Sequence, residues 1–186
     1  MKKNSFLIAA FAFAAMFSGY ASANDVPRDC PAELTNSLDA VFGPGAAEMT
    51  RCIQDRNNVK VVYQINNFTD PSNSAKPYGL GNIQNAINDY TQNYGMTMGK
   101  DVDIAVVVHS GGGKLLVQDA VLQSKGLGSN PFEGTVKKLL SQGVNIYLCQ
   151  NTARSLITKG VLTSGYATGE LIEGVQFVTS GVNRDP

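Results

Sequence analysis

Tryptophan is absent from this chain, histidine occurs once and cysteine three times. With His109 as the sole imidazole and no Cys-x-x-Cys pair, a zinc site has no ligand set to draw on, and no metal or other cofactor is expected. The missing dithiol also weakens a thioredoxin-like reading. No Gly-x-Ser-x-Gly elbow occurs, so the common serine-hydrolase arrangement is set aside. The run Gly111-Gly112-Gly113-Lys114 falls short of a nucleotide P-loop, which would need glycine at Val108 and a hydroxyl residue at Leu115. A concentrated basic block is lacking as well, and phosphate backbones need one, so no nucleic-acid partner is expected.

Long apolar runs are also missing, with one short exception at the N-terminus. Lys2 and Lys3 precede the apolar stretch 6–17, which is followed by Ala21-Ser22-Ala23. That stretch is too short to span a bilayer, and the small residues suit signal peptidase. The expectation is a signal peptide over 1–23, cut after Ala23, and a periplasmic or secreted protein with no membrane span once the signal is removed. The full chain balances 15 basic against 15 acidic side chains; loss of Lys2 and Lys3 leaves 13 against 15, a net charge of −2. The remaining length suits one domain able to bury a core of its own.

In an oxidising compartment three cysteines leave one unpaired. Cys30 and Cys52 flank a helix-like segment, 32–42, and a Gly43-Pro44-Gly45 turn. A disulfide between them would staple an N-terminal extension, 24–58, at roughly 3 kcal/mol by the loop-entropy argument. Cys149 is then the odd thiol.

Downstream the pattern alternates. A β-branched strand is predicted over 59–65, closed by a loop at 66–77 with its Asp70-Pro71 turn signal. Apolar residues Ile83, Ala86, Ile87 and Tyr90 recur at helical spacing over 81–94, with Gly95 placed to cap. The run 103–108 reads as a strand buried on both faces. Helical stretches follow at 115–122 and 131–142, the second with Asn130 as a candidate N-cap and Pro131 at the first helical position. Next come a strand at 144–148, a helix from 150 to about 159, a helix at 168–172 with Thr168 as a candidate cap, and a strand at 175–179. Strands alternating with helices predict an α/β domain over 59–186, a flavodoxin-like three-layer sandwich with a mostly parallel sheet and helices on both faces.

In such sheets sites form at the carboxyl ends of the strands, where both His109 and Cys149 fall. Cys149 sits where a strand runs into a helix, close to unpaired N–H groups that favour a thiolate. His109 is placed to take the thiol proton. Gly111, Gly112 and Gly113 read as a flexible turn whose backbone N–H groups could bind an anion or substrate, with Lys114 or Arg154 to stabilise the charge. Plainer readings stand beside these. Cys149 could be a small buried hydrophobe, His109 a hydrogen-bonded loop residue, and the two cations solvated surface charges.

Three segments resemble the DsrE/DsrF-like group, which includes the DsrE, DsrF and TusD sulfur-relay proteins. They are Val106-Val107-Val108-His109-Ser110-Gly111-Gly112, the stretch Leu139-Leu140-Ser141-Gln142-Gly143-Val144-Asn145-Ile146-Tyr147-Leu148-Cys149, and Gly174-Val175-Gln176-Phe177-Val178. The resemblance implies a flavodoxin-like fold assembled as a homo-trimer or homo-hexamer. It implies that Cys149 carries sulfane sulfur as a persulfide and exchanges it with a donor or acceptor protein. The chain departs from the relay members in its export signal. The alternative is a non-catalytic module that binds a small ligand or assembles subunits, with Cys149 structural.

Overall fold

Alternating strand and helix patterns become a parallel sheet joined by helical crossovers. The computed structural model describes residues 38–49 and 56–179; the expected signal at 1–23 and the Cys30–Cys52 pairing lie outside them. A single helical turn at Ala46–Met49 precedes the domain. Strand β1 is Val59–Ile65, followed by two short strands, β2 (Thr69–Asp70) and β3 (Asn73–Pro77). Helix α1 (Leu80–Asn88) runs on into a π-type turn at Asp89–Asn93. Strand β4 is Val102–Val108, followed by a 3-10 helix at Ser110–Leu116, then α2 (Asp119–Ser124) and α3 (Glu133–Ser141). Strand β5 (Asn145–Cys149) runs directly into α4 (Gln150–Thr158), and α5 (Ala167–Glu170) leads to β6 (Gln176–Val178).

The main sheet has the order β1-β4-β5-β6, every pair parallel. This is an α/β fold built on a parallel sheet. Each crossover moves one strand further in the same direction. Because such crossovers are right-handed, their helices should fall on one and the same face. Burial agrees. One core cluster joins Leu80, Ile83 and Ile87 of α1, Val136 and Leu139 of α3, and Ala153 and Leu156 of α4. It also contains Ile65, Ile104, Val106, Val108, Ile146 and Leu148, one alternate set along the strands.

The other set forms a different surface. Lys60, Val62, Gln64, Asp103, Asn145 and Gln176 are exposed, while Ala105 and Tyr147 are half-buried. Val107, Cys149 and Val178 are buried at its carboxyl end, yet stand outside the core cluster. The 103–108 run therefore reads wrongly as two-faced burial: Asp103 is exposed and Ala105 only half covered. The α/β architecture expected from the sequence, a mostly parallel sheet with helices around it, is the one observed.

Several local expectations shift for physical reasons. The 66–77 loop holds the β2–β3 hairpin, whose turn is tied by Asp70 Oδ1 accepting from the backbone N–H (2.8 Å) and Oγ (2.6 Å) of Ser72. Gly95 does end the first helical stretch, in the left-handed conformation (φ 63°) that favours glycine. Helix α3 runs from Glu133, and Asn130 Oδ1 accepts from the Phe132 N–H at 3.2 Å, closing the turn that leads into it. The buried Asn130 amide also donates to the carbonyls of Leu115 (2.9 Å) and Val117 (2.8 Å), closing the end of the 3-10 helix. Thr168 lies inside α5, whose cap is Tyr166. Among the described residues, no helix is long and apolar enough to cross a membrane.

Candidate functional site

Strand register sets the site. Val108 of β4 pairs with Leu148 of β5, so the next residues along, His109 and Cys149, emerge from neighbouring strands. His109 is still extended (φ −142°, ψ 175°), and its N–H donates to the Ile65 carbonyl at 2.8 Å, prolonging the ladder with β1. Side chains alternate along extended chain. Val108 and Leu148 face the core, so His109 and Cys149 both face the other way, on strands about 4.8 Å apart. On its far side Cys149 pairs with Val178 of β6.

Cys149 is the N-cap residue of α4, and its thiol makes no capping hydrogen bond. It is free but only 6 % exposed. His109 is half-buried, with Nδ1 3.0 Å from the Ser110 Oγ.

Two residues that the sequence did not single out hold this rim together. Ser110 adopts φ 51°, the left-handed region that costs a residue with a Cβ about 1 kcal/mol or more. Its N–H donates to Oγ1 of Thr152 at 2.9 Å. Thr152 sits three residues after Cys149, buried in the first turn of α4. One hydrogen bond thus ties the residue after His109 to the helix that Cys149 opens. Nothing local in the sequence marks a contact between positions this far apart.

The glycine run behaves differently from a flexible turn. It is part of the 3-10 helix, and the glycines are there because neighbours leave no room. A Cβ on Gly111 or Gly112 would sit 3.0 Å from the backbone carbonyls of Asn66 and Ile65. On Gly113 it would sit 2.7 Å from Cγ2 of Thr152 and 3.0 Å from Cδ1 of Leu156. The Gly112 N–H is already given to the His109 carbonyl at 3.0 Å. Lys114 is half-buried, its carbonyl accepting from the Asn130 amide at 3.3 Å. Arg154 is exposed on α4 and its guanidinium donates back to Oδ1 of Asn151 at 2.9 Å. The structure sets His109 and Cys149 at the ends of adjacent strands, while Arg154 donates to a residue of its own helix.

A cleft of about 400 Å³ opens beside this rim, lined by Ser110, Gly111, Asn151, Thr152, Ser155 and Lys159 together with Leu156. Neither Cys149 nor His109 lines it. Among the described residues, no group of three His, Cys, Asp or Glu side chains is arranged to hold a metal ion.

No family model and no curated protein matches the chain. Among solved structures, the protein of unknown function MTH1491 from Methanobacterium thermoautotrophicum is similar. It is 28% identical, over 67% of this chain and 85% of that one, with a TM-score of 0.45.

Proposed function

We propose that this is an exported, periplasmic or secreted protein that binds or relays sulfane sulfur through Cys149, as its resemblance to DsrE-like proteins implies. The observation that carries the reading is the placement of His109 and Cys149 at adjacent carboxyl strand ends, facing the same side. In a polysulfide reaction the Cys149 thiolate attacks a terminal donor sulfur. A new S–S bond forms at Cys149, the donor's own S–S bond breaks, and the shortened polysulfide dianion leaves. Cys149 remains as a persulfide anion. The thiol proton passes to His109 and from there to solvent. The exposed Gly111 at the start of the 3-10 helix, with Lys114, supplies the anion-binding element of this reading. Assembly as a homo-trimer or homo-hexamer, and a donor or acceptor protein, belong to the same proposal.

One observation favours the second reading, a binding or assembly module with a structural cysteine: only 6 % of Cys149 is exposed. A single experiment separates the two. The chain from Asn24 is incubated with polysulfide or tetrathionate and its intact mass measured. A sulfur carrier gains sulfur or an S-thiosulfonate group at one site. Cys149→Ser abolishes the adduct, and His109→Ala slows it by about a hundred-fold or more, as expected for loss of general-base assistance. A thiol that stays unmodified and resists alkylation until the protein unfolds decides for the binding module.

A further inference from the structure

A strand at the rim of a sheet leaves half of its backbone groups unpaired. The main sheet ends at β1, which pairs with β4 alone. The Val59 N–H donates to the Asp101 carbonyl at 2.8 Å, and the Ile65 carbonyl accepts from the N–H of His109. Backbone groups alternate in direction along a strand, so Val59, Val61, Tyr63 and Ile65 point theirs toward β4. Lys60, Val62 and Gln64 point their N–H and C=O groups away from it. Among the described residues those groups have no protein partner. Sheet edges are commonly blunted by proline, bulges or short length. Strand β1 has none of these. Its register with β4 runs unbroken over seven residues, it contains no proline, and Val62 at its midpoint is 65% exposed.

We propose that β1 pairs with β1 of a second copy, antiparallel about a two-fold axis at Val62. The strand is complementary to itself in that register. Val62 meets its own counterpart, and Lys60 meets Gln64 of the partner subunit, an ammonium against an amide. Each facing pair among these exchanges both backbone hydrogen bonds, which is what the outward groups of Lys60, Val62 and Gln64 need. On the helical side Val61 meets Tyr63 of the partner subunit, and a β-branched residue opposite an aromatic one is a favourable cross-strand pair. Both are half-buried in one copy, so each keeps surface to contribute.

Other pairings fit less well. An axis at Lys60 or Gln64 shortens the overlap, and at Lys60 it sets two ammonium groups face to face. Head-to-tail pairing would use the opposite edge of the sheet, where β6 has three residues to offer against the seven of β1. Centring on Val62 engages the whole strand and places no like charges opposite each other. Two copies joined in this way continue one sheet across the axis. Of the assemblies proposed above, a homo-hexamer contains two-fold axes and a homo-trimer does not. The pairing does not depend on the chemistry of Cys149.

The test reads the register by cross-linking the chain from Asn24. Facing α-carbons in such a pair lie about 5.5 Å apart, within reach of a disulfide. Val62→Cys should therefore link to itself under mild oxidation, and non-reducing peptide mapping separates this link from any at Cys30, Cys52 or Cys149. Lys60→Cys alone should not link to itself, because its counterpart is about 15 Å away. Mixed with the Gln64→Cys protein, it should link to that one. Light scattering should give the mass of two copies or an even multiple. Val62→Lys should halve that mass by setting two ammonium groups opposite each other, and Val62→Pro should halve it by removing the bonding N–H. Lys60, Val62 and Gln64 are all exposed, so these changes leave the core intact, and circular dichroism checks that the fold is kept. A native chain that runs as one copy at high micromolar concentration would overturn the proposal and leave the edge to an extended segment of another protein. So would a link between Lys60→Cys chains alone, a Val62→Cys chain that does not link, or a mass that survives both the lysine and the proline variant.

Discussion

The two faces of the β4–β5 sheet are made by alternate residues of the same strands, yet they have little in common. On one side Ile104, Val106, Val108, Ile146 and Leu148 are closed over by α1, α3 and α4. On the other Asp103, Ala105, Asn145 and Tyr147 carry charge, amide, methyl and phenol in a surface only partly covered. The core is concentrated on the first side, and His109 and Cys149 belong to the second. A parallel sheet wound in one direction produces this division by itself, because right-handed crossovers stack every helix on one face. His109 and Cys149 then fall on the side left open.

The most severe way to challenge this contrast is to remove buried volume on the helical side. Leu148 is fully buried between β4 and β6, next to the residue that carries the thiol. Leu148→Ala should lower unfolding free energy by about 2–5 kcal/mol in urea denaturation, since a cavity remains after the transfer term is lost. A loss under about 1 kcal/mol would mean that the helices do not close tightly over the strands and that the two faces are more alike than their burial indicates.

A smaller change targets the seam where the helical side meets the rim that carries His109 and Cys149. Gly113→Ala drives a methyl to 2.7 Å from Cγ2 of Thr152. Thr152 cannot simply rotate away, because its Oγ1 holds the Ser110 N–H across the rim. The expected cost is about 1–3 kcal/mol from overpacking. Sulfur uptake by Cys149 should slow in the same variant, because the strain passes through Ser110 to His109. Lost stability with unchanged uptake would show that the glycine serves packing alone.

How far the sequence discloses this organisation depends on the range of the interaction. Strand β1 is found residue for residue at 59–65, and β4 and β5 each lie within one residue of expectation, because β-branched and apolar runs are local signals. The placement of His109 and Cys149 at strand ends follows directly. One-sidedness is harder to see. Lys60 and Gln64 alternate openly in β1, but the run Ile104 to Val108 is apolar at every position, and hydrophobicity cannot tell core from a surface awaiting a partner. Asn130 is read as a helix cap because Asn-Pro is a strong local start signal. Its Oδ1 does accept from the Phe132 N–H there, but its amide also answers carbonyls more than ten residues away, which no local signal marks. The Ser110–Thr152 bond is invisible for the same reason, and so is the steric demand for glycine at 111–113, which comes from β1 and α4.

The mildest perturbation is acid, and it too should act on one side only. Charges on the helical side are tied into the fold. Burial alone would raise the Glu170 carboxyl, but hydrogen bonds from Lys125 (2.7 Å) and Thr163 outweigh it and hold the group below its ordinary range. Glu133 is held low as well, first by the backbone N–H of Asp119 at 2.6 Å and then by Lys137. Both carboxyls therefore bind fewer protons in the folded protein than in the unfolded chain at mildly acidic pH. The stability they contribute is complete above the unfolded value of about 4.3 and is lost as pH falls through their lower folded values. Melting temperature should hold steady at neutral pH and decline below about pH 4.5. Glu170→Gln should be less stable near neutrality, since Lys125 loses its charge partner, and its decline in acid should be shallower. A decline in acid as steep in Glu170→Gln as in the native protein would mean that this carboxyl is not tied into the fold, and the contrast between the two sides would lose its charged part.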